Sequence, residues 1–278
     1  MKTIGVIGGD LRQLTISKEF EKEGFGVFTY GLTGLGATND ERAFCADIII
    51  LPVPVGTADK LNAPFEEDVI SISRAIKRFP KNSLVFGGKF PNCVKSELKS
   101  MGITYFDYLE RPEFPVYNAV PTAEGAIEIA ISETPYTIHE SKILITGYGN
   151  ISKCLAYILK TMGAEVYISL RNKKQAADAE CMGLKTLDIA DISDYVSEFD
   201  IIFNTVPALI FTGPVLEEVS PDSLIIDLAS KPGGVDFENA QLLSKRVIWA
   251  LSLPGKVAPV TSGIIIKRTI KNILNERK

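Results

Sequence analysis

Short apolar runs of strand length alternate with amphipathic stretches along the whole chain. That alternation predicts repeated βα units and parallel sheets, because parallel strands need a covering helix at each crossover. In the first half, "TIGVIG", "FGVFTY", "ADIIILP", "SLVFGG" and "ITYFDY" read as strands. Helices are expected between them over 11–23, about 66–78 and about 92–101. The stretch "RPEFPVYNAVP", 111–121, carries three prolines and no helical period, so it reads as a crossing between domains. "TAEGAIEIAISE" follows with apolar residues at helical spacing and Thr122 in a capping position. The strand pattern then restarts at "KILITG", "AEVYISL", "DIIFNTV", "SLIIDLA" and "RVIWALS", and the chain ends in a helix over about 260–276.

The clearest local signal is "KILITGYGNISKCLAYILKTMGAEVYISLRN", a strand, a glycine turn, a helix, a second turn and a second strand. This is the length and order of a dinucleotide-binding βαβ unit. Gly147 allows the sharp turn and Gly149 lets backbone approach a pyrophosphate, while the amides of Asn150 and Ile151 open the helix toward phosphate oxygens. Ser152 stands where a third glycine is usual and is small enough for close helix–strand packing. The second strand ends in Ser169-Leu170-Arg171-Asn172, with no carboxylate to accept a ribose 2′-hydroxyl. Arg171 can grip a 2′-phosphate, so NADP is favoured over NAD, which stays possible. On the same strand edge lie Thr205-Val206-Pro207, then Leu228-Ala229 with Lys231, and lastly Pro254. The organisation expected is α/β: two Rossmann-like domains with parallel sheets and an interdomain cleft. They span 1–117 and 118–259, with the C-terminal helix, about 260–278, packing back on the first.

The opening stretch "IGVIGGDLRQL" also reads as strand, glycine turn and helix, but its glycines are adjacent and Asp10 follows them. An aspartate there caps the helix or repels a pyrophosphate. The turn is therefore expected to form one wall of a substrate cleft, with positive charge from Arg12 and hydrogen bonds from Asp10 and Gln13.

Composition narrows the function further. The 278 residues are 46% hydrophobic and carry a net charge of −4, which gives no reason to expect nucleic acid or an anionic membrane as partner. Four scattered cysteines and a single histidine make a metal site improbable, and the thiols are expected to be buried and reduced. Met1-Lys2 runs straight into a strand, so a cytoplasmic chain without a leader is expected. His139 precedes the "KILITG" strand and so belongs at the edge away from the cofactor. Asp227 ends a strand and is expected to brace the next loop.

The second half resembles the D-2-hydroxyacid dehydrogenases, with "DLASKPGGVDF" a loose match to one of their loops. Those enzymes carry an imidazole base in the last loop, where this chain has "LPGKVAP", so hydride transfer without deprotonation of an alcohol fits better. More specifically, "IGGDLRQL", "YNAVPTAEGAIEIAI", "YTIHESKILITGYGNISKCLA", "NTVPALI", "LIIDLASKPGGVDF" and "LPGKVAP" together resemble the dipicolinate synthase A-subunit family of endospore-forming bacteria. The resemblance runs from about residue 4 to 265, and relatives tend to carry G-L-G-x-x-G in place of G-Y-G-N-I-S.

The resemblance implies NADP-dependent oxidation of a dihydrodipicolinate, derived from 4-hydroxy-tetrahydrodipicolinate, to dipicolinate in the mother cell of a sporulating bacterium. It implies a partner, the flavoprotein-like B-subunit of dipicolinate synthase, with further copies of the chain left open. Asp10, Arg12 and Lys231 are then the catalytic candidates. Arg12, Gln13, Asn118, Thr122, Glu124 and Lys231 are the candidates for holding the dicarboxylate, with Arg111 a further cation. Two alternatives remain: a non-catalytic NADP-binding regulatory subunit, and another NAD(P)-dependent reductase of the 2-hydroxyacid dehydrogenase type.

Overall fold

The computed structural model describes residues 2–277. Its contacts divide the chain into two compact units, Met1–Asn118 with Pro254–Lys278, and Ala119–Leu253.

The first unit holds β1 (Thr3–Ile7), α1 (Leu11–Lys22), β2 (Gly26–Tyr30), β3 (Ile48–Ile50), the hairpin strands β4 (Gly56–Thr57) and β5 (Lys60–Leu61), α2 (Ile72–Ile76), β6 (Leu84–Gly87), α3 (Asn92–Ser100) and β7 (Thr104–Asp107). Its five-stranded sheet has the order β2-β1-β3-β6-β7, with every neighbouring pair parallel. β3 shows why the strand runs are apolar throughout: Ile49 joins a cluster with Ile7, Val85 and Leu98, while Ile48 and Ile50 join another with Ile16, Phe20 and Phe86. Both faces of the sheet are covered, so neither parity of the strand can be polar.

The helix expected over about 66–78 is only α2, since the Ser71 hydroxyl accepts the Arg74 N–H and starts it there. Glu66 instead accepts from the Thr33 hydroxyl and the Asn39 side chain.

α4 (Phe114–Glu133) replaces the expected irregular crossing at 111–121. Pro115 falls in its first turn, where no amide hydrogen is needed, and only Pro121 lies in the interior. The chain passes from one unit to the other inside this helix, and Thr122 is buried within it instead of capping its start.

The second unit follows as β8 (Lys142–Thr146), α5 (Asn150–Thr161), β9 (Glu165–Leu170), α6 (Lys173–Cys181), β10 (Lys185–Asp188), α7 (Ile192–Tyr195), β11 (Ile201–Asn204), α8 (Gly213–Glu218), β12 (Leu224–Asp227), α9 (Phe237–Leu242) and β13 (Arg246–Trp249). Its six parallel strands lie in the order β10-β9-β8-β11-β12-β13. This is the doubly wound arrangement, with the order reversing between β8 and β11. Ile143 and Ile145 pack into one layer and Leu144 into the other, again because both faces are covered.

The segment "LPGKVAP", expected as a loop, forms the short helix α10 (Leu253–Val257), and α11 (Pro259–Glu276) follows. α11 packs along α1 through Ile265, Ile266, Ile270 and Ile273 in the cluster of Ile16 and Phe20. The buried Lys267 ammonium donates to the Glu19 carbonyl (2.9 Å) and pairs with the Glu23 carboxylate (2.9 Å). Lys267, then Lys271, holds the Glu23 carboxyl below its usual range.

The thiols depart from expectation: Cys45, Cys93 and Cys181 are exposed and Cys154 half-buried, all free. The exposed three sit at or next to the ends of short elements, where side chains meet solvent. Among the described residues no group of three or more His, Cys, Asp or Glu could hold a metal ion, and no helix is long and apolar enough to cross a membrane.

Candidate functional site

In a doubly wound sheet, ligands bind beyond the carboxyl ends of the strands where the strand order reverses. Here that point lies between β8 and β11, and the turns that follow them are Gly147–Gly149 and Thr205–Pro207. Gly147 has φ +85°, and a Cβ there would lie 2.8 Å from Val206 Cγ2, so the turn admits only glycine. Its amide donates to the Ser169 carbonyl (2.8 Å). Ser152 is fully buried and its hydroxyl donates to the Gly147 carbonyl (2.6 Å), so serine both packs and ties the turn to α5.

Beyond that tie the turn is open. Gly149 is the N-cap of α5 and supplies no side-chain cap, and a Cβ placed on it would meet nothing within 4 Å. The first amides of α5, Asn150 and Ile151 among them, therefore face no capping group, and the twelve-residue helix presents its positive end there. This fits a dinucleotide: phosphate oxygens are acceptors for those amides, and the space above Gly149 admits their approach.

After β9, Arg171 is exposed, and no carboxylate follows it until Asp178. Asn172 caps α6, its Oδ1 accepting the Lys174 (3.0 Å) and Gln175 (3.1 Å) amides, so that oxygen is already engaged. Lys173 lies 3.5 Å from Asp188 at the surface.

Three strands that end side by side carry a polar group each. Thr146, Asn204 and Asp227 are register partners across β8, β11 and β12, and all three are fully buried. The Thr146 hydroxyl donates to Asn204 Oδ1 (2.5 Å), and Asn204 Nδ2 donates to Asp227 Oδ1 (2.7 Å). Asp227 also accepts the Ala229 (3.0 Å) and Gly234 (2.8 Å) amides, so it braces the following loop as expected. Leu228 and Ala229 are buried at the start of that loop, and Lys231 is exposed on its turn. Thr146 and Asn204 escaped the sequence reading, although "KILIT", "DIIFN" and "SLIID" each end an apolar run on a hydrogen-bonding residue. His139 is exposed in the turn before β8, at the opposite edge of the sheet.

The first unit's glycine turn is closed. Gly8 donates to the Tyr30 carbonyl (2.7 Å) and Gly9 to the Asn62 carbonyl (2.8 Å). Asp10 caps α1, its Oδ1 accepting the Arg12 amide (2.9 Å), while Gln13 Oε1 accepts the Asp10 amide (3.1 Å). Gln13 is fully buried, with its Nε2 unpartnered among the described residues. The Arg12 guanidinium lies flat against Asp10, Nε to Oδ1 (2.9 Å) and Nη2 to Oδ2 (2.7 Å), and Nη2 also donates to the Val53 carbonyl (2.9 Å). Arg12 Nη1 sits 3.4 Å from where a Cβ on Gly255 would be, so a larger residue at 255 would crowd it. Pro254 accepts the Ser262 hydroxyl at its carbonyl (2.8 Å). Arg111 is committed elsewhere in the unit, to Glu113 and to both oxygens of Glu276. Asn118 is the last residue of the first unit, and Glu124 is exposed on α4 beside Ile127 and Ile158.

Two family descriptions match separate stretches of the chain. Residues 3–109 match the family described as the N-terminal domain of the dipicolinate synthase A-subunit. Residues 123–229 match the D-isomer specific 2-hydroxyacid dehydrogenase NAD binding domain. The dipicolinate synthase A-subunit of Bacillus subtilis (strain 168) is 33% identical, the match covering 98% of this chain and 96% of that protein. The crystal structure of the Bacillus halodurans A-subunit superposes with a TM-score of 0.90 at 30% identity, over 98% of this chain and 97% of that one. That of the B. subtilis protein gives 0.88 at 32%, over 99% and 96%. The second unit is thus an NAD(P)-binding domain of dehydrogenase type. With a relative matched along nearly its whole length, the chain belongs to the dipicolinate synthase A-subunit family.

Proposed function

We propose that this chain is an NADP-dependent oxidoreductase that converts dihydrodipicolinate to dipicolinate. The observation that carries the reading is the uncapped, open turn Gly147–Gly149 at the reversal of strand order, in a chain of this family. When bound, the nicotinamide supplies a hydride acceptor. The substrate ring gives up one hydride and one proton, and the aromatic ring that results provides much of the driving force. Because the proton leaves from a ring that is becoming a pyridine, no imidazole base is required, in keeping with the exposed and remote His139.

The remaining task for the protein is to hold a small dicarboxylate. Arg12 is suited to it: Asp10 and the Val53 carbonyl fix the guanidinium by Nε and Nη2, while no bond to Nη1 occurs among the described residues. Guanidinium has five donors in a rigid fork, so one edge can be anchored while another meets a carboxylate. Asp10 then orients Arg12, a better use of its engaged oxygens than proton transfer. Lys231 is exposed on the loop after β12, and Arg171 receives the 2′-phosphate of NADP. That the relatives are themselves named as one subunit of a synthase supports a second, the B-subunit, as partner.

Incubating the purified chain with dihydrodipicolinate and NADP⁺, with and without the B-subunit, tests the reading through the appearance of dipicolinate and NADPH absorbance. In Arg12→Ala the substrate KM should rise about tenfold with the NADPH Kd unchanged. Binding of NADPH without turnover in either mixture would favour a regulatory role for the chain instead.

A further inference from the structure

Asp227 is a fully buried carboxyl group with no part in the chemistry proposed above, and Asn204 is a buried amide beside it. Burying such groups is costly unless each donor and acceptor is matched. Here they are matched closely. Asn204 Nδ2 has two hydrogens and two acceptors, Asp227 Oδ1 (2.7 Å) and the Val206 carbonyl (3.1 Å). Its Oδ1 accepts from the Thr146 hydroxyl (2.5 Å) and from the Val206 amide (3.1 Å). Asp227 accepts from Asn204 and from the amides of Ala229 and Gly234. One side chain therefore holds both backbone groups of Val206, and the next holds both ends of the loop 229–234.

These two loops follow β11 and β12, on one side of the strand reversal, whereas the glycine turn and Arg171 follow β8 and β9 on the other. A dinucleotide bound across a doubly wound sheet lays one mononucleotide on each half. With the phosphates at Gly147–Ile151 and the 2′-phosphate at Arg171, the loops fixed by Asn204 and Asp227 belong to the other half, that of the nicotinamide.

We infer that Asn204, acting through Val206 and Asp227, is a positioning residue that sets the surface on which the nicotinamide half of the cofactor rests. The inference depends on the dinucleotide reading of the glycine turn. It predicts selectivity: loosening the network should weaken what the nicotinamide half contributes and leave the adenosine half alone. A residue that only supported the fold would weaken both together or neither.

The experiment is a calorimetric titration of the full chain with NADPH and, separately, with 2′,5′-ADP, which carries only the adenosine half. Asn204→Ala is the main variant. Thr146→Val removes one hydroxyl of similar volume and serves if Asn204→Ala fails to fold, as judged by circular dichroism and thermal melting. In the folded variants NADPH affinity should fall about tenfold while 2′,5′-ADP affinity stays within about twofold of the parent. Equal losses for the two ligands, or no loss for either, would overturn the positioning role while leaving the glycine-turn reading intact. If the unmodified chain bound neither ligand, that reading would fail and the inference with it.

Discussion

Gly8–Gly9 and Gly147–Gly149 each end a buried parallel strand and each open a twelve-residue helix, yet they leave their surroundings in opposite states. In the first, Gly8 and Gly9 donate to protein carbonyls, and Asp10 with Gln13 closes the helix end in a capping box. In the second, one amide is tied to β9 and the helix end beyond it has no cap. A glycine turn before a helix thus does not by itself make a phosphate site. What matters is whether the protein has already filled the donors, and a single aspartate at the N-cap is enough to fill the first of them.

The comparison can be broken most decisively at Gly149 and Gly9. Gly149 has φ −86° and free space around its missing Cβ, so Gly149→Val should fold normally. It should nevertheless lose NADPH affinity by about two orders of magnitude, some 3 kcal/mol, because the side chain occupies the approach to the amides. Gly9 has φ +100° and its Cβ would strike the Gln13 side chain. Gly9→Val should therefore cost about 1–3 kcal/mol of stability in urea unfolding, with NADPH affinity of the folded fraction kept. Reversal of those two outcomes would mean the turns have been assigned the wrong way round.

A smaller effect sharpens the cofactor side. Arg171→Asp should weaken NADPH by about 1–3 kcal/mol and shift preference toward NADH, read as the ratio of the two dissociation constants. An unchanged ratio would remove Arg171 from the 2′-phosphate.

The smallest effect concerns the closed turn and acid. Asp59 accepts from the Ser71 hydroxyl (2.7 Å) and from the amide and hydroxyl of Ser73, and these bonds pull its pKa from 3.8 to about 2. A carboxyl depressed in the folded state stabilises fully above its unfolded pKa, and that contribution is lost as pH falls toward the folded value. Asp59 anchors the hairpin whose following residue, Asn62, accepts the Gly9 amide. Hydrogen exchange at Gly9 should accelerate between pH 4 and pH 2 relative to Gly147; equal acceleration at both would point to global loosening.

What could be read from the sequence was what lies close along the chain. The strand–glycine–helix grammar around Gly147 and Gly149, the missing carboxylate near Arg171 and the capping character of Asp10 all act within a few residues. The strands were visible because burial on both faces makes each one an apolar run. The Asn204 network was hidden, since its partners lie 58 and 23 residues away and only sheet register joins them. α4 was misread because Pro115 and Pro121 look like breakers, whereas one falls in the first turn and the other is carried inside a twenty-residue helix. The orientation of Arg12 against Asp10 and Val53 likewise depends on a chain segment 41 residues distant.

The return of α11 to the first unit has a consequence for biosynthesis. Ile265, Ile266, Ile270 and Ile273 complete the cluster that holds Ile4, Val6 and Phe20, so the N-terminal sheet lacks part of its core until that helix has left the ribosome. Every residue of the second unit, 119–253, is made before it. Domains fold as units when their chains are complete, so the nucleotide-binding half, though second in order, can mature first while the N-terminal half waits with α1 but not yet α11 in that cluster. A chain cut short before Pro259 would then arrive with a finished nucleotide-binding half and an N-terminal half prone to capture by chaperones or proteases.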